Sequence, residues 1–208
     1  WIFFAKSVTR RNYPIWVKVL SASLWSLGLQ KITDRINDML VRLGFVPVTT
    51  KVSRVDLTVD TDELSIQPGI RTHFVTRADK IATHEEHGEL TGFSIGGGDP
   101  IMLRIYDKTA EIKKSGKEWT KWLWAANEWY GDRVWRVEFQ CRRDLMREMR
   151  IETLQDLDRE TKALWGYLSR NWFMRERGTT FAEEVQRKAE AFVRHGLETG
   201  KKGSRSQG

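Results

Sequence analysis

The sequence predicts an α+β fold: a central, mainly antiparallel sheet carrying an active site on one face and helices on the other, then a helical C-terminal region. Three observations carry this reading. Residues 53–60, 101–108 and 134–140 alternate apolar and polar at the period of a strand. Residues 29–43 and much of 144–196 repeat apolar side chains at helical spacing. The first of these helices leads into the strand that carries an acidic pair, an arrangement of mixed α and β folds.

The bulk numbers bound the partners. The chain has 208 residues, a 40% hydrophobic and a 30% charged fraction, and a net charge of +7. The first two are ordinary for a globular protein. The charge favours a polyanion, nucleic acid first and an acidic membrane surface second; a basic protein with no such partner is the plain alternative. Ten tryptophans are many for this length, useful in a core and for stacking on bases. The single Cys141 cannot form an internal disulfide and alternates with the apolar positions of its strand, which predicts a buried thiol and suits a reducing cytoplasm. No apolar run approaches the roughly 18 residues of a membrane span. The chain opens on Trp1 in what reads as mid-strand, so a preceding segment is expected to be missing.

Along the chain, Ile2–Ala5 and Ile15–Leu20 read as aromatic-rich strands, and Pro14 keeps Tyr13 extended. The 29–43 segment places Ile32, Ile36, Met39, Leu40 and Leu43 on one helical face, with Gly44 suited to its end. Residues 61–89 are polar and give no element. His84-Glu85-Glu86-His87 within them has its histidines three apart rather than four, so it is not the helical zinc motif, and a solvated loop or helix end is expected. Leu90–Gly96 and Ile101–Lys108 read as a hairpin across Gly97-Gly98-Asp99-Pro100. The glycines there lack the Lys-Ser/Thr and helix of a phosphate-cradling loop. Residues 117–130 carry an aromatic stripe at helical spacing. Two helical segments follow, one marked by Leu154, Leu157, Ala163, Leu164 and Leu168, the other by Phe181, Val185, Ala189 and Phe192. The expected boundaries are 1–150 for an α+β catalytic body, 151–198 for a helical extension packed on it, and 199–208 for a disordered basic tail.

The alternation sorts the chemistry onto one face. Val55, Leu57 and Val59 oppose Arg54, Asp56, Thr58 and Asp60; Ile101, Leu103 and Ile105 oppose Arg104, Tyr106 and Lys108; Trp135, Val137 and Phe139 oppose Arg136, Glu138 and Gln140. With the apolar side on the core, the open face gathers Asp56, Asp60, Glu138 and Tyr106 among cations. Three carboxylates suit a hard cation. A tyrosine beside them is a candidate nucleophile for phosphodiester chemistry. The alternative is an ion-pair network in which Arg54, Arg104, Arg136 and Lys108 neutralise the carboxylates. The pattern alone does not choose between them.

The wording of the segments adds a resemblance. Leu103-Arg104-Ile105-Tyr106-Asp107-Lys108-Thr109-Ala110-Glu111 and Trp135-Arg136-Val137-Glu138-Phe139-Gln140 resemble the L-R-x-Y-x-K-x-x-E and W-R-x-E-x-Q motifs of replication initiation factors. These are the rolling-circle initiators of plasmids and filamentous phages, with related relaxases. Ser53–Asp60 resembles that family's R-x-D-x-x-x-D strand, and Leu164-Trp165-Gly166-Tyr167-Leu168 is similar to a further segment, so the likeness covers roughly residues 50–175 in the family's order.

The resemblance implies a nicking-closing endonuclease, with Tyr106 attacking one phosphodiester at an origin and keeping the 5′ phosphate. It implies Lys108 and Arg104 beside Tyr106 as catalytic cations, favouring its phenolate together with a metal. It implies Asp56, Asp60 and Glu138 as ligands of Mg²⁺ or Mn²⁺, since the histidine-hydrophobic-histidine motif of many related nucleases is absent, and Arg54, Arg136, Arg142 and Arg143 as DNA contacts. The partners it brings are origin DNA as a single strand or hairpin, a host helicase and polymerase, and optionally a second copy of the chain, all in the cytoplasm and with no membrane. A conjugative relaxase of the same chemistry, a non-cutting origin-binding protein and a basic structural protein are the competing readings.

Overall fold

The computed structural model describes residues 1–7, 13–62, 64, 66, 67, 69–126 and 132–175. The predicted helix around Phe181–Phe192, the basic tail, Tyr130, and Arg177, Arg187 and Lys188 of the C-terminal basic segment lie outside the described residues. The chain divides into two compact units between Thr49 and Thr50.

In the first unit, β1 (Ile2–Phe4) and β2 (Ile15–Val17) pair antiparallel, with Phe3 opposite Trp16. Helix α1 (Ser21–Arg42) is broken at Gly28, whose φ of 76° only glycine adopts freely. The amphipathic stretch expected from Leu29 onward is thus the second limb of a kinked helix. It ends at Leu43, and Gly44 follows at a φ of 85°.

In the second unit, β3 (Arg54–Thr61) is followed by a 3₁₀ turn (Ile70–His73), β4 (Phe74–Thr76), β5 (Ile81–Glu86), β6 (Glu89–Ile95) and β7 (Ile101–Asp107). Then come α2 (Lys108–Ser115), α3 (Trp119–Ala126), β8 (Trp135–Arg142), α4 (Arg143–Glu148), α5 (Leu154–Tyr167), a π-helical turn (Leu168–Trp172) and β9 (Phe173–Arg175). Five strands form one sheet in the order β3-β8-β7-β6-β5, every neighbouring pair antiparallel. This is the α+β architecture that the alternation predicts.

The differences from expectation are local. Residues 81–89 form a hairpin with β6 rather than a loop, turning at His87-Gly88, so His84 lies on a strand. Lys108 does not end β7 but opens α2, which Asp107 caps by accepting from the Ala110 N–H at 2.8 Å. Residues 173–175, inside the expected helical region, form β9 against β4.

The core explains why these strands hold one register. Ile95, Leu103, Ile105, Val137, Phe139 and Cys141 project from the aliphatic face and are buried. They pack with Leu145 and Met146 of α4, Leu157, Leu164 and Trp165 of α5, and Trp172. Phe139 meets the Trp165 ring edge-on at 5.5 Å. A one-residue slip would turn this whole set to the other face. Burial pushes the Cys141 thiol up to about 12, as suits a packed sulfur rather than a nucleophile.

Candidate active site

Directly opposed residues of neighbouring strands share a face, so the register defines rows across the open side of the sheet. One row runs Asp60, Arg136, Tyr106, Gly92, His84. The next runs Thr58, Glu138, Arg104, Ser94, Ala82. Then come Asp56, Gln140 and Met102, and at the far end Arg54 opposite Arg142. The expected site residues on β3, β7 and β8 therefore do share one face.

Hydrogen bonds resolve them into pairs. The Tyr106 hydroxyl donates to Glu138 Oε2 at 3.2 Å. Glu138 Oε1 accepts from Arg104 Nη1 at 2.9 Å, and Arg104 Nη2 donates to Gln140 Oε1 at 3.2 Å. Arg136 grips Asp60 with two bonds of 2.6 and 2.8 Å, and the indole N–H of Trp124 on α3 adds a third at 2.9 Å. Arg54 grips Asp56 in the same forked way, at 2.7 and 2.6 Å. Burial varies along the face. The side chains of Arg136 and Asp60 are 13% and 12% exposed, whereas Arg54 and Arg142 are open to solvent.

Lys108 is 1% exposed and pairs with Glu111 one turn on in α2 rather than with a strand carboxylate. Lys117 also reaches Glu111, at 3.0 Å. The Lys108 ammonium lies 5.9 Å from the centre of the Tyr106 ring. Arg143 points elsewhere: it donates to the carbonyls of Val52 and Ile151 at 3.0 and 3.2 Å and pairs with Glu152, tying the segment before β3 to that before α5.

The electrostatics follow from this packing. Burial, and then the charge of Glu138, push the Tyr106 phenol well above its ordinary range, and Arg136 opposes them only in part. The phenolate is thus disfavoured, and the cation that works toward it is Arg136 rather than the expected Lys108 and Arg104. Burial and the charge of Arg136 lower Lys108. Burial works against the Arg136 guanidinium, yet Asp60 more than offsets it and the proton is held more firmly. Glu111 is held down at about 2: burial opposes this, but hydrogen bonds from Lys108 and Lys117 prevail.

The carboxylates do not form one metal centre in this arrangement. Asp56 and Asp60 are four residues apart on β3, roughly 13 Å along a strand, and each is occupied by its own arginine. Among the described residues, no three His, Cys, Asp or Glu side chains stand close enough to hold an ion. Mg²⁺ or Mn²⁺ on Asp56, Asp60 and Glu138 together does not fit these positions. Gln140, Glu111 and Trp124 are parts of the network to which the sequence assigned no role. Gln140 was signalled by alternation and Glu111 only as the last residue of the L-R-x-Y-x-K-x-x-E segment; Trp124 had no signal. His84 joins the face through β5, with its Nε2 2.8 Å from the Ser94 hydroxyl.

No helix among the described residues is long and apolar enough to cross a membrane. No family model matches the chain, and no curated protein matches it. Among solved structures, the chain is similar to one described as a rolling circle replication initiator protein from Geobacillus stearothermophilus. The two share 16% identity over 77% of this chain and 61% of that one, with a TM-score of 0.38. The chain thus spans about three fifths of the length of that structure.

Proposed function

We propose that this chain is a rolling-circle replication initiator, a nicking-closing enzyme that cuts and rejoins one DNA strand through Tyr106. The observation that carries the reading is the hydrogen bond from the Tyr106 hydroxyl to Glu138, residues 32 apart in sequence. It lies on a sheet face lined by Arg104 and Arg136 and backed by a buried lysine. The motif resemblance and the charge of +7 support it.

The geometry supports the following chemistry. With its phenol held protonated, Tyr106 needs a base at the moment of attack. Glu138 Oε2 already accepts from that hydroxyl. The Tyr106 oxygen forms a bond to phosphorus, its proton passes to Glu138, and the bond from phosphorus to the 3′ oxygen breaks. The leaving oxygen takes a proton from water and becomes a free 3′-OH, and the 5′ phosphate stays on Tyr106. A positioned base of this kind contributes typically 10²–10⁴-fold. Arg104 and Arg136 stand on either side of the Glu138–Tyr106 pair and would meet charge developing on the phosphoryl oxygens. The phosphotyrosyl ester conserves the bond, so attack by a 3′-OH returns the strand closed and Tyr106 free. In this role the protein acts in the cytoplasm on origin DNA and hands the 3′ end to a host helicase and polymerase.

A second reading, a DNA-binding protein that does not cut, is favoured by the pairing of Asp56, Asp60 and Glu138 with arginines. Incubation with supercoiled DNA carrying the origin of its own element, with and without Mn²⁺, separates the two. The enzyme produces nicked circles with protein attached, and Tyr106→Phe produces none. Retained binding with no nicked product under either condition would establish the second reading instead.

A further inference from the structure

The open face is not uniform, and its asymmetry bears on how substrate arrives. This inference rests on the reading above. At the Tyr106 end, Trp124 of α3 bonds to Asp60, and Lys108 at the start of α2 lies over the Tyr106 ring, so that end is closed by helices. At the other end, Arg54 and Arg142 face each other across β3 and β8, both exposed. Like charges directly opposed on a sheet destabilise it. Of the four arginines on this face, Arg54, Arg104 and Arg136 each hold a carboxylate. Arg142 is without one among the described residues. A cation set opposite another cation, exposed and uncompensated, is a site for an external anion.

We propose that the DNA strand reaches Tyr106 along β3 and β8 from the exposed end of the sheet, and that Arg142 binds one of its backbone phosphates there. Arg136, opposite Tyr106, and Arg142 are six residues apart on β8, roughly 20 Å at strand rise. That separation corresponds to no more than about six stacked nucleotides at ~3.4 Å per nucleotide of one strand. The contact is therefore several nucleotides from the reacting phosphodiester. The acidic side chains on the way, Asp56 and Glu138, are neutralised by Arg54 and Arg104, so the path carries no bare negative charge between its ends.

The test measures binding of an oligothymidylate of about 20 nucleotides, longer than the ~4–16 of common single-strand sites, across a salt series. Tyr106→Phe protein, which cannot cut, serves as the background. Arg142→Ala is expected to weaken binding several-fold and to reduce the slope of log K against log salt by about 0.7, the value for one phosphate contact on a single strand. Arg142→Lys keeps the slope, and Lys162→Ala, on α5 behind the core, leaves both unchanged. In nicking assays Arg142→Ala raises KM several-fold with kcat unaltered, because the contact is remote from the reaction. An unchanged slope in Arg142→Ala, or a loss confined to kcat, would overturn the path while leaving the tyrosine chemistry standing. If wild-type protein never forms a covalent adduct, the enzyme reading fails, and the binding result still decides the role of Arg142.

Discussion

Asp60 and Glu138 are both carboxylates facing arginines, yet their removal should read differently. The Asp60–Arg136 pair is nearly buried and forked, and truncating one partner strands a charge, which costs about 3–5 kcal/mol in such settings. Asp60→Ala should therefore lower the thermal midpoint by many degrees, and any lost nicking would follow from lost structure. The Glu138–Arg104 pair is more open, so Glu138→Gln should cost no more than about 1.5 kcal/mol. It should nonetheless slow nicking at least 10²-fold by removing the base. The same variant removes a charge that holds Tyr106 protonated. Its phenolate absorbance should then rise at lower pH than in wild type, with burial still keeping it above the ordinary value near 10. A Glu138→Gln protein with wild-type nicking would end the role assigned here. Which residues face outward was legible from alternation. Which carboxylate takes which arginine was not, since it depends on register between strands such as those carrying Asp60 and Arg136, 76 residues apart.

Single elements show the same divide. β3, β7 and β8 were legible because each buries one face more deeply than the other, so apolar and polar residues alternate, with Met102 on β7 as the exception. β5 was not: it is an edge strand, mostly exposed on both sides, and Ala82-Thr83-His84-Glu85-Glu86 has no apolar period to read. β9 was hidden for a different reason, because its pairing with β4 joins segments about 100 residues apart. α2 is short, and its purpose emerges only in three dimensions, where it buries Lys108 near the Tyr106 ring and pairs it with Glu111. The folded protein lowers Glu111 to about 2, so it binds that proton less well than the unfolded chain does. The resulting stability is present above the ordinary glutamate range near 4.3 and is lost as pH falls toward 2. Acid unfolding of wild type should be steeper between pH about 4.5 and 2 than that of Glu111→Gln. Identical acid transitions would show that the Lys108–Glu111 pair contributes nothing. On the buried face, Leu103→Ala should cost about 2–5 kcal/mol, measured by denaturant unfolding.

At the scale of the molecule, a basic chain folds a five-stranded sheet with its core on one side and its charges on the other. The aliphatic side accounts for stability, and the proposed chemistry lies on the open side. That separation was visible in the sequence from the three alternating strands, whereas the neutralisation of each carboxylate by an arginine was the alternative it left undecided. If the net charge of +7 serves DNA binding, affinity should fall steeply between low and physiological salt, and a flat dependence would speak against nucleic acid altogether. The identity of the residue joined to DNA tests the role of Tyr106 most directly. Wild-type protein is allowed to react with origin DNA, the complex is digested with nuclease and protease, and the nucleotide-bearing peptide is sequenced by mass spectrometry. A single modified peptide with the 5′ phosphate on Tyr106 is expected, and none from Tyr106→Phe. A nucleotide on Tyr13, Tyr130 or Tyr167, or an adduct that persists in Tyr106→Phe, would contradict it.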